Sequence, residues 1–261
     1  MTLRLRQICL VAPELEPAVA GLRDVLGIEV SHRDGAVGKY GLVNAVLPVG
    51  RCFLEVVAPT REGTAAGRYL ERRGGAGGYM VILDCDDIAP WQARVATLGV
   101  RVANDLDYDG KYRGLQLHPR DTGGTLLEIN WTLGGGSLDG PYHPAGPNWQ
   151  SAMRVGVTES LLGAEIQAEN PAALAARWAE ILDRPLHREA SGAARIDLDL
   201  GFVRFVAATD GRGEGLSGID VRPADQQAIR TAAAGRGLVV TDDMVALCGM
   251  RVRLARESAS A

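Results

Sequence analysis

Apolar residues recur along this chain in short runs broken by polar turns, and amphipathic stretches with helical periodicity stand between some of the runs. Residues 6–12 form an apolar strand, and the Pro-Glu-Leu-Glu-Pro segment after it favours the first turn of a helix. Gly27 is typical of the position where such a helix ends. The pattern then predicts three strands, over residues 28–32, 36–48 and 51–58.

The same order of one strand, one helix and three strands returns after the glycine-rich residues 74–78. The pattern is therefore an internal repeat with a period of about 70 residues. The predicted elements of this second unit are a strand at 79–86, a helix at 87–99 and strands at 100–103, 114–118 and 125–130.

Two further units are predicted after a stretch rich in glycine and proline. The third unit comprises a strand at 161–168, a helix at 171–182 and strands at 195–200 and 202–208. The fourth comprises a strand at 218–221, a helix at 224–234 and strands at 238–240 and 245–254, and the tail at 255–261 is expected to fray.

The composition limits the class of protein to which the chain can belong. Of its 261 residues 46% are apolar, which is too many for a disordered chain. The formal net charge of −4 argues against a nucleic-acid partner, which calls for a basic surface. No apolar run reaches the roughly 18 residues that crossing a membrane requires. Cys9, Cys52, Cys85 and Cys248 stand singly without disulfide spacing, so we expect a reduced, cytoplasmic protein.

Four segments of the first half carry a family resemblance. Residues 7–16 (QICLVAPELE) look like a strand entering a helix, and residues 53–59 (FLEVVAP) look like the fourth strand of a module. Residues 77–87 (GGYMVILDCDD) look like the start of a second module, and residues 117–129 (LHPRDTGGTLLEI) look like its closing hairpin. Together these segments resemble the vicinal-oxygen-chelate superfamily of glyoxalases, methylmalonyl-CoA epimerase, extradiol dioxygenases and bleomycin-resistance proteins. The hairpin is most similar to the epimerase branch.

The resemblance implies an α+β fold of four βαβββ units, paired into two vicinal-oxygen-chelate half-barrel domains of which the second is degenerate. It places a glyoxalase-like domain that carries the site at residues 1–134, a linker at 135–157 and the second domain at 158–256. The second half has no ligand-type set at the matching positions. Glu165 and Gln167 are the exception, because they stand on a strand that could line a pocket of its own.

In this superfamily four strand positions carry ligands for a divalent metal, which stabilises an oxyanion of the chelated substrate. The matching positions here are Gln7, Glu55, Met80 and Glu128. The resemblance implies that Gln7, Glu55 and Glu128 hold one Mg, Mn or Zn ion through oxygen, while the soft thioether of Met80 only lines the substrate pocket. Both usual histidine ligands are missing, so a metal-free mechanism stays open. Gln7 is equally well explained as a buried amide bonded to backbone.

Glu55 and Glu128 stand inside apolar strands, where a carboxylate that faces the interior is costly to bury without a partner. Two carboxylates that converge repel each other unless a proton or a cation lies between them. We therefore expect both to line a functional pocket and to act as base or metal ligand. The alternative is that they point to solvent, because strand alternation alone does not say which face is inside.

Three further residues are candidates for substrate contacts. His118 is placed opposite Leu127 by counting across the turn, and suits either a general base near neutral pH or a structural hydrogen bond to that turn. Residues 105–110 imitate the start of an EF-hand calcium loop, but the final ligand position holds glutamine and the flanks read as strands. We interpret this acidic stretch as a mobile rim of the cleft, with Tyr112 and Arg113 as candidates for binding an anionic substrate.

The favoured hypothesis is a glyoxalase-like enzyme that acts on a small carbonyl or thioester compound by isomerisation, epimerisation or lyase chemistry. Glu128 or Glu55 would be the base or ligand, and Gln7 would hold an oxygen or the metal. The alternative is a non-catalytic small-molecule binding protein of the bleomycin-resistance type, which the missing histidines favour and the retained glutamates oppose. An extradiol dioxygenase is disfavoured because it needs two histidines and a carboxylate. A homodimer is a further expectation.

Overall fold

A computed structural model describes residues 1–255 of the chain, and these residues form two seven-stranded sheets with helices. The order of strands in the first sheet is β2-β3-β1-β4-β7-β6-β5. The elements of this half are β1 (Leu3–Val11), α1 (Leu15–Leu26), β2 (Leu42–Val49), β3 (Cys52–Pro59), α2 (Ala65–Arg73), β4 (Gly77–Cys85), α3 (Ala89–Thr97), β5 (Val102–Tyr108), β6 (Tyr112–Leu117) and β7 (Leu126–Thr132).

The second sheet repeats this plan, with the strand order β13-β14-β12-β8-β11-β10-β9. Two similar halves of strands and helices confirm the predicted α+β fold. No helix in the described part of the chain has both the length and the apolar character needed to cross a membrane. The elements of the second half are β8 (Thr158–Ala168), α4 (Pro171–Leu182), β9 (Leu186–Arg188), β10 (Ala194–Asp197), β11 (Phe202–Ala207), β12 (Gly215–Pro223), α5 (Gln226–Gly235), β13 (Met244–Leu247) and β14 (Met250–Leu254).

The residues gather into two compact units, each made of three separate segments. The predicted domain limits at 1–134, 135–157 and 158–256 stay a prediction. The first unit consists of Met1–Cys9, Gly78–His143 and Gly163–Leu216, and the second consists of Leu10–Gly77, Pro144–Leu162 and the residues from Ser217 onward.

Each unit has an aromatic pair in its core, although aromatic residues are scarce in the sequence. In the first unit the ring of Trp178 meets that of Phe205 edge-on at 5.6 Å, and its indole nitrogen donates to the carbonyl of Thr122 at 3.2 Å. In the second unit Phe53 and Trp149 meet edge-on at 5.0 Å. Such pairs add to the stabilisation that burial of the rings already provides.

Two helices have the limits that their capping residues predict. Helix α1 ends at Leu26, and Gly27 follows in the left-handed conformation with φ 65°, donating its N–H to the carbonyl of Arg23. Helix α4 starts with proline in its first turn, and the side chain of Asn170 accepts from the N–H of Ala173 at 3.0 Å. These local signals are strong enough to fix both elements.

The prediction of strands after α1 is wrong in part. Residues 28–32 form no strand and make only an isolated bridge between His32 and Val46. The start of the predicted strand at 36–48 is a 3₁₀ helix, Gly35–Tyr40. The side chain of Asp34, which accepts from the backbone N–H of Ala36, starts this helix and so competes with strand pairing.

Helix α2 was not predicted, although its ends carry recognisable caps. The hydroxyl of Thr64 accepts from the N–H of Gly67 at 2.9 Å, and Gly74 ends the helix with φ 67°.

The strand predicted at 238–240 is absent, and only an isolated bridge between Val240 and Val245 is found there. The short strand β9 was also not predicted, because its three residues are all exposed and show no apolar pattern.

The acidic stretch interpreted as a mobile rim is a strand. Asp105 and Asp107 lie within β5, which ends before a turn at Asp109 and Gly110. This strand is the edge of the first sheet, and acidic side chains on an edge discourage pairing with another chain.

The register of the closing hairpin differs by one residue from the predicted one. Leu117, not His118, lies opposite Leu127, and Gln116 lies opposite Glu128. His118 has already left the strand for the turn. Of the tail predicted to fray, all but the first residue lies outside the described residues.

The stretch predicted as a linker at 135–157 contains two short 3₁₀ helices, His143–Ala145 and Trp149–Ala152. It also carries the buried rings of Tyr142 and Trp149. The stretch therefore contributes side chains to packed interiors, and one of them, Tyr142, belongs to the site.

Candidate functional site

A row of polar side chains runs along β6 and β7 in the first unit. Strand alternation puts Glu128, Asn130 and Thr132 on one face of β7. The antiparallel register places Gln116 opposite Glu128 and Tyr112 opposite Thr132, and residues that oppose each other share a face. The two strands therefore deliver five polar side chains to the same face of the sheet.

The carboxylate of Glu128, which is only 3% exposed, is the centre of this cluster. Its Oε1 accepts the hydroxyl of Tyr112 and, at 3.2 Å, the Nδ2 of Asn130. Its Oε2 accepts the Nε2 of Gln116 at 2.7 Å. The Nδ2 of Asn130 also lies 3.4 Å from the hydroxyl oxygen of Tyr142. The three side chains that donate to the carboxylate are neutral, so they satisfy its oxygens without placing a positive charge beside it.

The two tyrosines of the cluster are held in their protonated form. Burial, with the nearby charge of Glu128 as a second cause, raises the pKa of Tyr112 well above 10. Burial likewise raises the pKa of Tyr142 well above 10. Tyr112 therefore remains a hydrogen-bond donor to Glu128 over the whole neutral range.

Two arginines of β1 join the cluster through Asp84. The Nε and Nη2 of Arg4 donate to the two carboxylate oxygens of Asp84 at 2.7 and 3.0 Å, and the Nε of Arg6 lies 3.6 Å from the second oxygen. Burial raises the pKa of the Asp84 carboxyl, and the hydrogen bond from Arg4 opposes that rise. The guanidinium of Arg6 also lies 5.2 Å from the ring centre of Tyr142, and Asp84 pairs in register with Asn130.

The same arginines hold the glycine-rich segment that follows β7. Arg4 donates to the carbonyls of Gly136 at 2.9 Å and Gly135 at 3.2 Å, and Arg6 donates to the carbonyl of Leu138 at 2.8 Å. These charge-assisted bonds fix the segment beside the cluster.

The residues predicted as metal ligands or pocket wall have different positions. Met80 pairs in register with Leu126 on β7 and therefore lies on the face of Glu128. Gln7 is buried on β1 directly after Arg6, so alternation turns its side chain to the opposite face of the strand from the two arginines. Arg4 and Arg6 contact the cluster from β1 through Asp84.

Glu55 belongs to the second compact unit, where it is buried on β3. Its Oε1 accepts the Nδ2 of Asn44 at 2.6 Å. The Oδ1 of Asn44 accepts in turn from the backbone N–H of Asp34 at 2.8 Å. Glu55 is thus anchored by an amide that also holds the start of a neighbouring 3₁₀ helix.

Two predicted substrate contacts lie in exposed or half-exposed settings. The Nδ1 of His118 accepts from the backbone N–H of Arg120 at 3.2 Å, which is the structural turn contact that was one of its two interpretations. Arg113 lies 3.8 Å from Asp105 and 3.6 Å from Asp107 of β5, on the other face from Tyr112. The placement of Tyr112 on a mobile rim is wrong, because this residue is buried within β6.

A model of the family described as the glyoxalase-like domain matches residues 8–182. The chain belongs to the glyoxalase-like domain family. The predicted membership of the vicinal-oxygen-chelate superfamily is thereby confirmed.

Relatives of this glyoxalase-like chain include enzymes that are named epimerases. The ethylmalonyl-CoA/methylmalonyl-CoA epimerase of Cereibacter sphaeroides is 27% identical over 129 residues, which are 48% of this chain and 96% of the relative. The mitochondrial methylmalonyl-CoA epimerase of Mus musculus is 27% identical over 131 residues, which are 48% of this chain and 71% of the relative. A crystal structure of a hypothetical protein from Staphylococcus aureus covers 98% of this chain and 99% of that chain, with a TM-score of 0.70 at 13% identity, so the fold is shared over both halves.

The donors around Glu128 do not fit the divalent metal that the superfamily implies. A hard cation needs several oxygen ligands, whereas Tyr112, Gln116 and Asn130 present hydrogens to the carboxylate. Within residues 1–255 no group of three or more His, Cys, Asp or Glu side chains is placed to hold a metal. We therefore derive no chemical step through a metal.

Several members of the cluster were not predicted from the sequence: Arg4, Arg6, Asp84, Gln116, Asn130 and Tyr142. The available signals were the alternation Leu-Arg-Leu-Arg at residues 3–6 of β1 and Leu-Glu-Ile-Asn at residues 127–130 of β7. The signal in β1 is weak, because arginine often lies with its stem on apolar surface and its charged head in water.

Proposed function

We propose that this glyoxalase-like chain is an epimerase-type enzyme that removes and returns the α-proton of a CoA thioester. The names of the relatives support the reaction and the substrate class. The observation that carries the proposal is the buried Glu128 carboxylate, whose two oxygens accept hydrogen bonds from the neutral side chains of Tyr112, Gln116 and Asn130.

Glu128 is the base in this proposal. A carboxylate has about four lone-pair positions, and three of them are used here, two on Oε1 and one on Oε2. Oε2 therefore retains one position to accept the proton from the α-carbon. The electron pair of the broken C–H bond moves to the thioester carbonyl oxygen and gives an enolate. A water molecule on the opposite face gives a proton to the α-carbon, which inverts its configuration, and the Glu128 carboxyl group returns the proton it took to the hydroxide that remains.

Burial of Glu128 supports this chemistry. With water excluded, the interaction between the carboxylate and the charge that develops on the substrate is screened less than in solution. A positioned carboxylate base contributes typically about 10²- to 10⁴-fold to a rate. The roles predicted for Gln7, Glu55, Met80, His118 and Arg113 stay predictions.

The test is α-proton exchange in D₂O. The purified chain is incubated with methylmalonyl-CoA or ethylmalonyl-CoA, and deuterium at the α-carbon is measured by mass spectrometry. We expect exchange well above the uncatalysed rate. The rate should fall about 10²- to 10⁴-fold in Glu128→Gln and be retained in Glu62→Gln, whose glutamate is exposed.

The binding-only alternative gives a different result in the same experiment. It predicts saturable binding of a thioester without any exchange, and that outcome would remove the proposed activity. The alternative is not favoured, since the relatives named above are enzymes.

A further inference from the structure

The ring of Tyr112 is fixed on several sides, and this fixes the direction of its hydroxyl. The ring lies 5.2 Å from the ring of His143 and 5.8 Å from that of Tyr108. Its backbone is paired opposite Thr132 in the β6–β7 ladder. The hydroxyl of this held ring donates to Oε1 of Glu128.

The two amides at the carboxylate both turn their nitrogens toward it. The side-chain oxygen of Gln116 accepts the Nδ2 of Asn104 at 2.7 Å, so its nitrogen is the end that faces Glu128. The nitrogen of Asn130 lies within reach of both Glu128 and the hydroxyl oxygen of Tyr142, whereas the Oδ1 of Asn130 is buried without a hydrogen-bond partner among the described residues. A divalent cation at this carboxylate would meet the positive ends of three dipoles.

We propose that Tyr112 is the positioning residue of Glu128, and that its hydroxyl, together with the amides of Gln116 and Asn130, replaces a divalent cation at this carboxylate. The kinetic part of this inference rests on the proposed function. The replacement of the cation is independent of the proposed function, because cation binding is measured without substrate.

The kinetic test is a double-mutant cycle between Tyr112→Phe and Glu128→Gln in the D₂O exchange assay. Loss of one hydrogen bond to a charged group predicts a fall in kcat of about ten- to a hundredfold in Tyr112→Phe, with KM unchanged. In the Glu128→Gln background the same change is expected to have no further effect. Tyr40→Phe, at an exposed tyrosine, is the matched control.

A purely structural role for Tyr112 gives another pattern. In that case Tyr112→Phe lowers the rate by the same factor with and without Glu128, or raises KM together with a fall in folded protein. Either pattern overturns the positioning role.

The cation test uses Mn²⁺ alone. Chelator-treated wild type is titrated with Mn²⁺ by calorimetry and by the loss of the free-ion paramagnetic signal, and we expect no stoichiometric binding. One Mn²⁺ bound per chain and lost in Glu128→Gln would overturn the replacement. If the wild type exchanges no thioester proton, the proposed function fails, and the Mn²⁺ titration still decides whether protein donors replace the cation.

Discussion

Glu128 and Glu165 are both glutamates buried on strands of the same compact unit, at 3% and 1% exposure, yet their partners differ in charge. Glu128 is contacted by one hydroxyl and two amides. Oε2 of Glu165 accepts from the Nε and Nη2 of Arg204 at 3.2 and 3.1 Å. A guanidinium neutralises the carboxylate it holds, whereas neutral donors leave the charge in place for chemistry.

The surroundings of Glu165 extend this contrast. Arg204 also lies 3.6 Å from Glu189, and Arg195 lies 3.7 Å above the ring of Phe202. Gln167 was predicted to line a pocket with Glu165. Its Nε2 instead donates to the carboxylate of Asp210 at 2.6 Å and to the carbonyl of Gly213 at 2.8 Å. The polar residues of the second half thus hold structure together, and this fits the interpretation of that half as degenerate.

The largest effect is expected from Glu128→Gln. The amide has nearly the same shape but no charge and no capacity to take a proton, so the exchange rate should fall by about 10²- to 10⁴-fold. The chain should stay folded, because the amide oxygen still accepts from Tyr112 and Asn130, and the donor that loses its acceptor, Gln116, is only half-buried. Exchange rates and far-ultraviolet circular dichroism of the same samples check both points. A wild-type rate in this variant would remove Glu128 from the mechanism.

The next effect concerns stability, and it is expected from Glu165→Gln. Removing the charge of Glu165 weakens the compensation of the buried Arg204 guanidinium, to which Glu189 at 3.6 Å still contributes, so we expect a loss of about 3 kcal/mol of unfolding free energy. Glu165→Gln/Arg204→Met, which removes both charges, should recover much of that loss. Urea unfolding at pH 7 measures the free energy of unfolding of the wild type, of Glu165→Gln and of the double variant. Equal stability of the single variant and the wild type would show that the pair has no such role.

A smaller effect follows from the protonated tyrosine beside Glu128. Burial raises the pKa of Tyr112 well above 10, whereas a phenol in the unfolded chain ionises near pH 10. The folded state holds the proton more tightly, so this contribution to stability is complete below about pH 10 and is lost as the pH rises further. Tyr112→Phe should therefore lose less stability than wild type between about pH 9 and pH 11. If the urea midpoints of the wild type and of Tyr112→Phe fall equally with pH over this range, the raised pKa of Tyr112 is contradicted.

The smallest effect is expected at the ion pair of Arg101 and Asp121, which lies at the surface. Hydrogen bonds from Arg101 lower the pKa of Asp121 to about 2, so its contribution to stability is present above about pH 4 and is lost as the pH falls through about 2. Solvent screening keeps this contribution small. Asp121→Asn should leave the urea midpoint at pH 7 nearly unchanged and make the acid-side loss shallower. A change as large as that of Glu165→Gln would contradict the distinction between buried and surface pairs.

The sequence predicts those parts of the fold that local signals determine. Helix α1 ends and helix α4 begins at a capping residue, and β3 and β7 are mostly apolar, so the limits of these elements are close to the predicted ones. The 3₁₀ helix Gly35–Tyr40 was missed because a side-chain cap from Asp34 outweighs the strand pattern.

The candidate site was predicted only in outline. Glu128 was identified because a carboxylate in an apolar strand is conspicuous. The exact partners depend on a hairpin register that differs by one residue from the predicted one, and on contacts between residues distant in sequence, such as Asp84 with Arg4. Neither strand alternation nor spacing contains that information.

The most direct test compares the two buried glutamates in one α-proton exchange assay in D₂O. Wild type, Glu128→Gln and Glu165→Gln/Arg204→Met are incubated with methylmalonyl-CoA under conditions where each is shown to be folded. We predict exchange by the wild type and by the chain lacking the Glu165–Arg204 pair, and exchange at least about 10²-fold slower by Glu128→Gln. Exchange by Glu128→Gln at the wild-type rate would contradict this prediction.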